Sequence, residues 1–527
     1  MPPDPDVLVV GAGPTGLMLA NQLARQGARV RIVDRHAGPA RETRALGVQA
    51  RTLEIYAQLG IAERAVELGK PATGANLWVS GRHVARVPLG DIGRGLSPYP
   101  FLLILGQDDN ERLLGQRLRE QGVEIAWNTE LVGLAQEAGR VAVRLRQPDG
   151  TVRESGVPWV AGCDGAHSAV RELNGIAFVG APYQHVFFVA DTRSTGPMVP
   201  GEVNVFLWPD GFHLFFPLRG ADHWRLVGIV PAPLRGRADL DLEDVMPSIL
   251  HQAGAALSVR SCSWFSTYRI HHRRAERFRD RRCFLLGDAA HIHSPVGAQG
   301  MNTGLQDAYN LGWKLGLVAT GRAEPALLES YEAERVPVAR QLLSTTDRFF
   351  SVVVSNQRLA QLLRTRVAPK LLALAMRFER VRRLAFRTIS QIGIEYRASP
   401  LSETLPGLPA GGPRAGDRFP WIKVARADGA PAEDVYQALD DRGFTLVRVE
   451  RSGAAPPGGP EPDRPLRTIA IPCGPANDAA LARAGLARGA DYLVRPDGYI
   501  GLCGPRVEPG TVRRYLSERA RLTMQPA

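Results

Sequence analysis

Gly11-Ala12-Gly13-Pro14-Thr15-Gly16 stands between the apolar run Val7–Val10 and a helical pattern over 17–25, and no other feature narrows the fold as much. Gly11 permits a tight turn. Gly13 lets the backbone approach a pyrophosphate, and Gly16 lets the helix pack on the strand with its N-terminus toward the phosphates. A second strand-like run, 30–33, ends at Asp34, 23 residues after Gly11, where a carboxylate accepts hydrogen bonds from a ribose. Strand, turn, helix, strand and acid in this order predict a Rossmann-like nucleotide site. By themselves they do not separate NAD from FAD.

The rest of the chain sets the scale. It has 527 residues, 44% hydrophobic and 22% charged, which predicts a globular protein of several domains. No run of 18 apolar residues occurs, so a spanning helix is not expected. The start runs straight into a strand, with no basic segment and long apolar stretch behind it, so a secretory signal is not expected either. Cys163, Cys262, Cys283, Cys473 and Cys503 are scattered without CxxC spacing. That argues against a disulfide scaffold or a zinc site and for a cytoplasmic protein. The formal net charge is +12, carried almost wholly by Arg. Between Val338 and Arg397 there are 12 basic residues against 3 acidic ones. There, Arg377, Arg380, Arg382, Arg383 and Arg387 interleave with Leu384, Ala385, Phe386 and Ile389. The pattern suits an amphipathic helix on a membrane surface; a solvated helix face is the commoner explanation. No nucleic-acid partner is expected.

Further along, 186–189, 203–208, 212–216 and 224–229 read as strands of a mostly antiparallel sheet, with Asp210-Gly211 as a hairpin turn. Helical character returns after Gly300. The Pro- and Gly-rich stretch 400–420 reads as a linker, and 435 onward as an αβ unit of its own.

A second cluster is Leu285-Leu286-Gly287-Asp288-Ala289-Ala290-His291, an apolar strand ending in Gly-Asp, followed by His293-Ser294-Pro295-Val296-Gly297-Ala298-Gln299-Gly300-Met301-Asn302. A carboxylate at a strand end can accept from hydroxyls of a sugar-like chain. The loop then turns into a helix whose free N–H groups begin near Gly300, and such a start stabilises negative charge. A reduced flavin carries its charge at one edge of its ring system.

With Cys163-Asp164-Gly165-Ala166-His167-Ser168 between these two clusters, the chain resembles the FAD-dependent aromatic hydroxylases, single-component flavoprotein monooxygenases with the p-hydroxybenzoate hydroxylase fold. The resemblance covers about residues 5–395. Ser294 and Ala298 depart from common family residues without removing a needed hydrogen-bonding group. The resemblance implies FAD as cofactor, NAD(P)H as co-substrate and O2 as second substrate, with an aromatic ring hydroxylated through a flavin hydroperoxide. It assigns FAD contacts to Gly11, Gly13, Thr15, Gly16, Asp34, Arg35, Arg44, Gln107, Asp164, Asp288, Pro295, Gly300, Met301 and Asn302. Asp288 is expected to lie deeper than Asp34. A Baeyer–Villiger or antibiotic-inactivating monooxygenase shares every one of these motifs. A flavin halogenase is disfavoured because no WxW segment occurs.

The implied fold class is α/β. A Rossmann-like FAD-binding domain (1–75, 101–178 and 276–400) carries an inserted antiparallel substrate domain (76–100 and 179–275). Residues 401–527 form a linker and a thioredoxin-like domain, on the likeness of 491–500 to the appended domain of larger hydroxylases. Without a CxxC pair, that tail is expected to pack and to serve assembly, with a homodimer left open. Phe206, Trp208, Phe215 and Pro295 are the expected substrate wall, and His213 and Tyr268 are candidates for a substrate base.

Overall fold

The computed structural model describes residues 4–40, 45–208, 211–237, 239–253, 257–293, 299–354, 357, 361–425, 432–451 and 466–523. Arg44, Asp210 and Pro295 lie outside them.

Parallel pairing explains why motifs far apart in sequence meet. The fully buried strand Val7–Val10 sits between Trp159–Gly162 and Val30–Val33, and Trp159–Gly162 pairs in turn with Cys283–Leu285, all in parallel. Parallel strands end at the same edge of a sheet. The Gly11 turn, Cys163-Asp164 and Gly287-Asp288 therefore leave three neighbouring strands side by side, where open α/β sheets bind ligands.

One helix pair fixes that edge. The first helix, Pro14–Arg25, lies against Gly300–Ala319. The latter presents Gly304, Ala308, Gly312 and Gly316 at four-residue spacing, one ridge of a helix surface. A Cβ on Gly304 would lie 2.4 Å from Thr15 Oγ1, one on Gly312 2.5 Å from Gln22 Cβ, and one on Gly316 2.5 Å from Gln26 Cβ. Only glycine allows this approach.

The inserted domain is an eight-stranded sheet that includes Gly74–Val79, Phe178–Thr195, Val203–Trp208, Gly211–Pro217, His223–Ile229 and Ser258–Ala275. Register assigns its faces. Phe206 pairs with His213 and Trp78, Asn204 with Phe215, and His213 with Gly228. Trp78, Phe206, Phe215 and Leu226 thus share one face, and they pack under Val245 and Ile249 of the helix Leu242–Ala253. The opposite face carries Leu77, Val205 and Phe216. It turns to the nucleotide domain, where Ala50 meets Leu77 and Val205, and Leu46 and Ile104 meet Phe216.

The C-terminal unit is a five-stranded sheet in the order Glu403–Thr404, Ile500–Gly504, Asp491–Val494, Phe444–Val449, Leu466–Ile471. Phe444–Val449 is parallel to Leu466–Ile471 and antiparallel to Asp491–Val494. The stretch read as a linker is built into this unit. Phe419 is fully buried, Tyr396 N–H donates to the Gly416 carbonyl at 2.7 Å, and residues 403–404 add a strand. Proline and glycine mark the turns there, but they do not make the segment free.

The unit is locked to the nucleotide domain by buried charge. Glu334 accepts from Arg495 at 2.6 and 2.9 Å, from Lys314 at 2.7 Å, from Asn310 at 2.6 Å and from Ser399 at 2.6 Å. Asp497 accepts from Arg495 at 2.5 and 3.1 Å and from the Trp313 indole at 3.1 Å. Two carboxylates thus face two cations. Burial alone would raise the Glu334 pKa, but Arg495 and Lys314 outweigh it, so the carboxyl is held below its ordinary 4.5. Glu334→Gln is expected to leave buried cations without their counter-charge and to lower stability by about 3–5 kcal/mol at neutral pH. Because the folded pKa is the lower one, the wild-type advantage is full above about pH 4.5 and shrinks as the pH falls further. Urea unfolding of both proteins across acid pH checks this. A neutral-pH difference under about 1 kcal/mol would remove the network from the stability account.

Candidate active site

A groove of about 750 Å3 runs along the ends of Val7–Val10, Val30–Val33 and Trp159–Gly162, with the Gly287-Asp288 turn outside its lining. Its lining includes Gly11, Gly13, Asp34, Arg35, Gln107 and Asp164, brought together from segments 150 residues apart. The glycine turn is shaped for it. Gly11 has φ +103°, and a Cβ there would stand 2.3 Å from the Cys163 carbonyl oxygen. A Cβ on Gly16 would stand 1.9 Å from the Gly11 carbonyl oxygen. At Gly13 a Cβ would meet nothing within 4 Å, so that backbone faces open groove.

Asp34 does more than wait for a ribose. Its carboxylate accepts from the Ala12 amide at 2.7 Å and from the His36 amide at 2.9 Å. It therefore pins the glycine turn. On the far wall, Glu111 accepts from the Ala40 amide at 2.8 Å and from Gln107 Nε2 at 2.9 Å. Burial raises its pKa, with those bonds offsetting only part of the effect. Asp164 is raised for the same reason, against hydrogen bonds from Ser168 and the Val170 amide. Its Oδ1 is buried without a partner. An unsatisfied carboxylate oxygen, a glycine cradle and an acid at a strand end fit the hydroxyls and pyrophosphate of a dinucleotide. Glu111, Arg112, Trp127 and Thr129 also line the groove. Sequence reading missed them, although Glu111 lies one helical turn after Gln107, which was the available signal.

The remaining predicted contacts lie beside the groove lining. Thr15 is wedged under the second motif: a Cβ on Gly287, at φ +57°, would approach its Oγ1 to 2.6 Å. Asp288 is exposed in a single 3-10 turn, Gly287–Ala289. That turn is held from behind by Asp307, which accepts from the Gly287 amide at 3.0 Å, from His291 at 2.7 Å and from Arg335 at 2.6 Å. Arg171 ties it to the Asp164 segment by donating to the Ala289 and Ala166 carbonyls at 3.2 and 2.9 Å. Gly300 and Met301 open the Gly300–Ala319 helix, half-buried. The Asn302 side chain is spent on structure. It accepts from the Gln49 amide at 2.8 Å and Thr52 at 2.7 Å and donates to the Gly47 carbonyl at 2.8 Å. Only its backbone can serve a ligand.

The expected substrate wall needs correction. Phe206 and Phe215 belong to the face covered by the Leu242–Ala253 helix and are core. His213 lies on that face too, its ring 4.1 Å from Trp208 and 5.8 Å from Phe188. Neither ring nitrogen has a partner, and burial lowers its pKa to about 3. It is a neutral core residue. Trp208 lies tilted against it at the hairpin end, in one apolar cluster with Phe187 and Phe212. Tyr268 is on the opposite face, level with Phe187 at 6.0 Å. Burial raises its pKa to about 12, so at neutral pH it is a donor and not a base. The alternation of the strands gave two apolar faces, and only the covering helix decides between them.

A glycine cradle, an Asp-Gly segment and a Gly-Asp turn at adjacent strand ends, beside a large antiparallel sheet, define a flavoprotein of the α/β nucleotide-binding class. Residues 4–346 match the family model described as FAD binding domain, and the chain belongs to that family. It is an FAD-dependent monooxygenase of the aromatic-hydroxylase class. It is 36% identical to 6-methylpretetramide 4-monooxygenase of Streptomyces rimosus, over 96% of this chain and 92% of that protein. Among solved structures, an anhydrotetracycline hydroxylase from Streptomyces rimosus superposes with TM-score 0.75 at 30% identity, covering 98% of each chain. Aklavinone-11 hydroxylase in complex with FAD and aklavinone superposes with TM-score 0.78 at 26% identity, covering 99% of this chain and 100% of that one.

Two predictions follow from this geometry. Asp34→Ala removes both a hydroxyl acceptor and the strut on the Ala12 amide, so it is expected to weaken FAD binding more than Asp288→Ala. This reverses the order that the sequence suggested. A charged hydrogen bond is worth roughly 1.5–3 kcal/mol, so the Asp34 variant should lose tenfold or more in affinity. Flavin fluorescence titration of both variants decides; a weaker-binding Asp288 variant contradicts the assignment. His213→Leu replaces an unsatisfied ring in an apolar layer, so stability should hold or rise and turnover stay within about twofold. A tenfold loss of turnover in the folded, FAD-loaded variant would restore His213 as a functional residue.

Proposed function

We propose that this enzyme hydroxylates a polycyclic phenolic substrate, of the kind named for its tetracycline- and aklavinone-pathway relatives, with electrons from NAD(P)H. The observation that carries the substrate class is the sheet face turned to the nucleotide domain. It presents Val205, Leu207, Leu214 and Phe216, all half-buried, in a continuous apolar strip. Such a wall suits a flat ring system wider than a single phenol. Bound FAD supplies the two-electron and oxygen-transfer chemistry.

In this reading the chain's own residues bind, orient and exclude water. The glycine turn and the first turn of the Pro14–Arg25 helix hold the diphosphate. Asp34, Glu111 and Asp164 take hydroxyls. The N-terminal amides of the Gly300–Ala319 helix would be available to the bound flavin and would stabilise negative charge there. Tyr268, a protonated phenol, donates a hydrogen bond to substrate oxygen and moves no proton at neutral pH.

For the coenzyme, the support is a basic strip on Ser258–Ala275. Arg273, Arg269 and, from the Asp164 segment, His167 each lie close enough to His271 to lower its pKa, after burial itself. Arg273 Nε is buried without a partner. An anionic dinucleotide would supply the missing acceptor.

The test is oxidation of NADH and NADPH with and without tetracyclic and single-ring phenols, followed by product mass and connectivity. The expected result is oxidation stimulated by the polycyclic phenols and a product one oxygen heavier with its carbon skeleton intact. An oxygen inserted into a carbon–carbon bond would mean a Baeyer–Villiger enzyme. Tyr268→Phe should raise KM several-fold and leave the neutral-pH limb of kcat/KM where it was. A displaced limb would mean that Tyr268 titrates during turnover.

A further inference from the structure

The exposed apolar surface of this protein is concentrated in one place. Of the 13 exposed large hydrophobic residues among those described, 9 fall between Leu362 and Ile389. Leu384 is 68% exposed, Phe378 61% and Leu371 57%. They lie on two short helices, Ala368–Ala375 and Glu379–Ile389, and on the turn between them. The inner side of this pair is well used. Met376 and Phe386 are buried against Ala50, Leu77 and Ile392, and Arg364 donates to the Trp208 carbonyl at 3.2 Å. On the outer side Leu371, Leu374, Phe378, Val381 and Leu384 remain exposed.

Charge on the same outer side is of one sign. Arg366, Lys370, Arg377, Arg380 and Arg387 are exposed and make no ion pair among the described residues. The one acid of the two helices, Glu379, is engaged by Arg383 at 3.5 Å. On Glu379–Ile389 the helical period places Val381, Leu384 and Thr388 on the outward stripe, with Arg380 and Arg387 along its edge. A water-facing helix would carry polar residues on that stripe. Here apolar side chains alternate with long cationic ones that can reach up to a headgroup.

Charge complementarity chooses the occupant. A second copy of the chain seated face to face across a twofold axis would oppose five uncompensated cations with five more. Like charges across a desolvated contact disfavour such pairing. We propose that the outer face of 362–389 docks on an anionic lipid surface, with Leu371, Phe378 and Leu384 entering the acyl boundary and the five cations meeting lipid phosphates. The proposal is independent of the substrate reading, because it rests on the outer face alone.

The experiment is sedimentation of the FAD-loaded full chain with vesicles of phosphatidylcholine alone and with one third phosphatidylglycerol, at low and high salt. The expected result is binding to the anionic vesicles, weak binding to the neutral ones, and release by salt. Leu384→Glu and the pair Arg380→Glu with Arg387→Glu should each reduce partition by more than about tenfold. Both alter exposed positions, and retained flavin absorbance shows that the variants are folded. No binding to anionic vesicles overturns the proposal, as does binding unchanged in both variants. A wild-type dimer that Leu384→Glu converts to a monomer in light scattering assigns the face to self-association and also overturns it. So does wild-type capture by an acidic carrier protein with no vesicle binding.

Discussion

Two consecutive residues hold the molecule together. Glu334 and Arg335 are neighbours on the helix Glu329–Val354, so their side chains diverge by about 100°. Glu334 reaches Arg495, Lys314 and Ser399. Arg335 reaches Asp307 at 2.6 Å, the Thr303 carbonyl at 3.2 Å and the Tyr396 hydroxyl at 2.8 Å. Both side chains are fully buried. One residue thus secures the C-terminal unit and the next secures the turn that carries Asp288. Glycine contacts bring the Gly300–Ala319 helix close to the first helix, but these charges set its height along the sheet. A buried ion pair is a poor source of net stability, because desolvation takes most of the Coulomb gain. Its use here is positional: removing either partner strands a charge, so slipped registers are excluded.

The same economy recurs at the other edge of the interface. Glu54 accepts from Arg418 at 2.5 and 2.9 Å, from Arg51 at 3.0 Å and from Ser97 at 2.7 Å, and Arg51 donates to the Asp497 carbonyl at 2.5 Å. Burial would raise the Glu54 pKa, but the two arginines hold it below the usual range. Arg495 and Asp497 are there to meet the nucleotide domain. Cys473 and Cys503 are both free thiols, and burial raises both pKa values, the opposite of what exchange chemistry needs.

What could be read from sequence follows the range of the interactions. The glycine turn, the Asp-Gly segment and the Gly-Asp turn are each local patterns that need a particular backbone. Their meeting follows from parallel pairing, which the strand–helix–strand order already implies. The wall for the substrate was not legible in that way. Strands Val203–Trp208 and Gly211–Pro217 carry apolar residues on both faces, so the polar–apolar alternation that marks an outside is missing from the sequence. Phe206 and Leu207 then look equally inward, and a helix 35 residues downstream settles which of them is core. Glu334 was equally silent. A buried acid looks like any surface glutamate until its partners, 161 positions away, are known.

The groove poses a charge problem that its residues answer in two ways. It must accept a diphosphate while lined by Asp34, Glu111 and Asp164. Burial raises the pKa of Glu111 and Asp164, so their charge is the costlier one to keep and the easier one to quench by a hydroxyl donor. Asp34 is bound by two backbone amides, which already spread its charge. The phosphates, by contrast, would meet no acid in the first turn of the Pro14–Arg25 helix, and the one carboxylate near the glycine turn, Asp34, is already held by the Ala12 and His36 amides. Gly13 caps the first helix with extended backbone and no side-chain bond, so the free amides of that first turn remain available to an anion. Acids for the sugar and amides for the phosphate are therefore segregated along one groove. Reversing the two, with a carboxylate at the helix start, would set like charges against each other at the one point where glycine forces close approach.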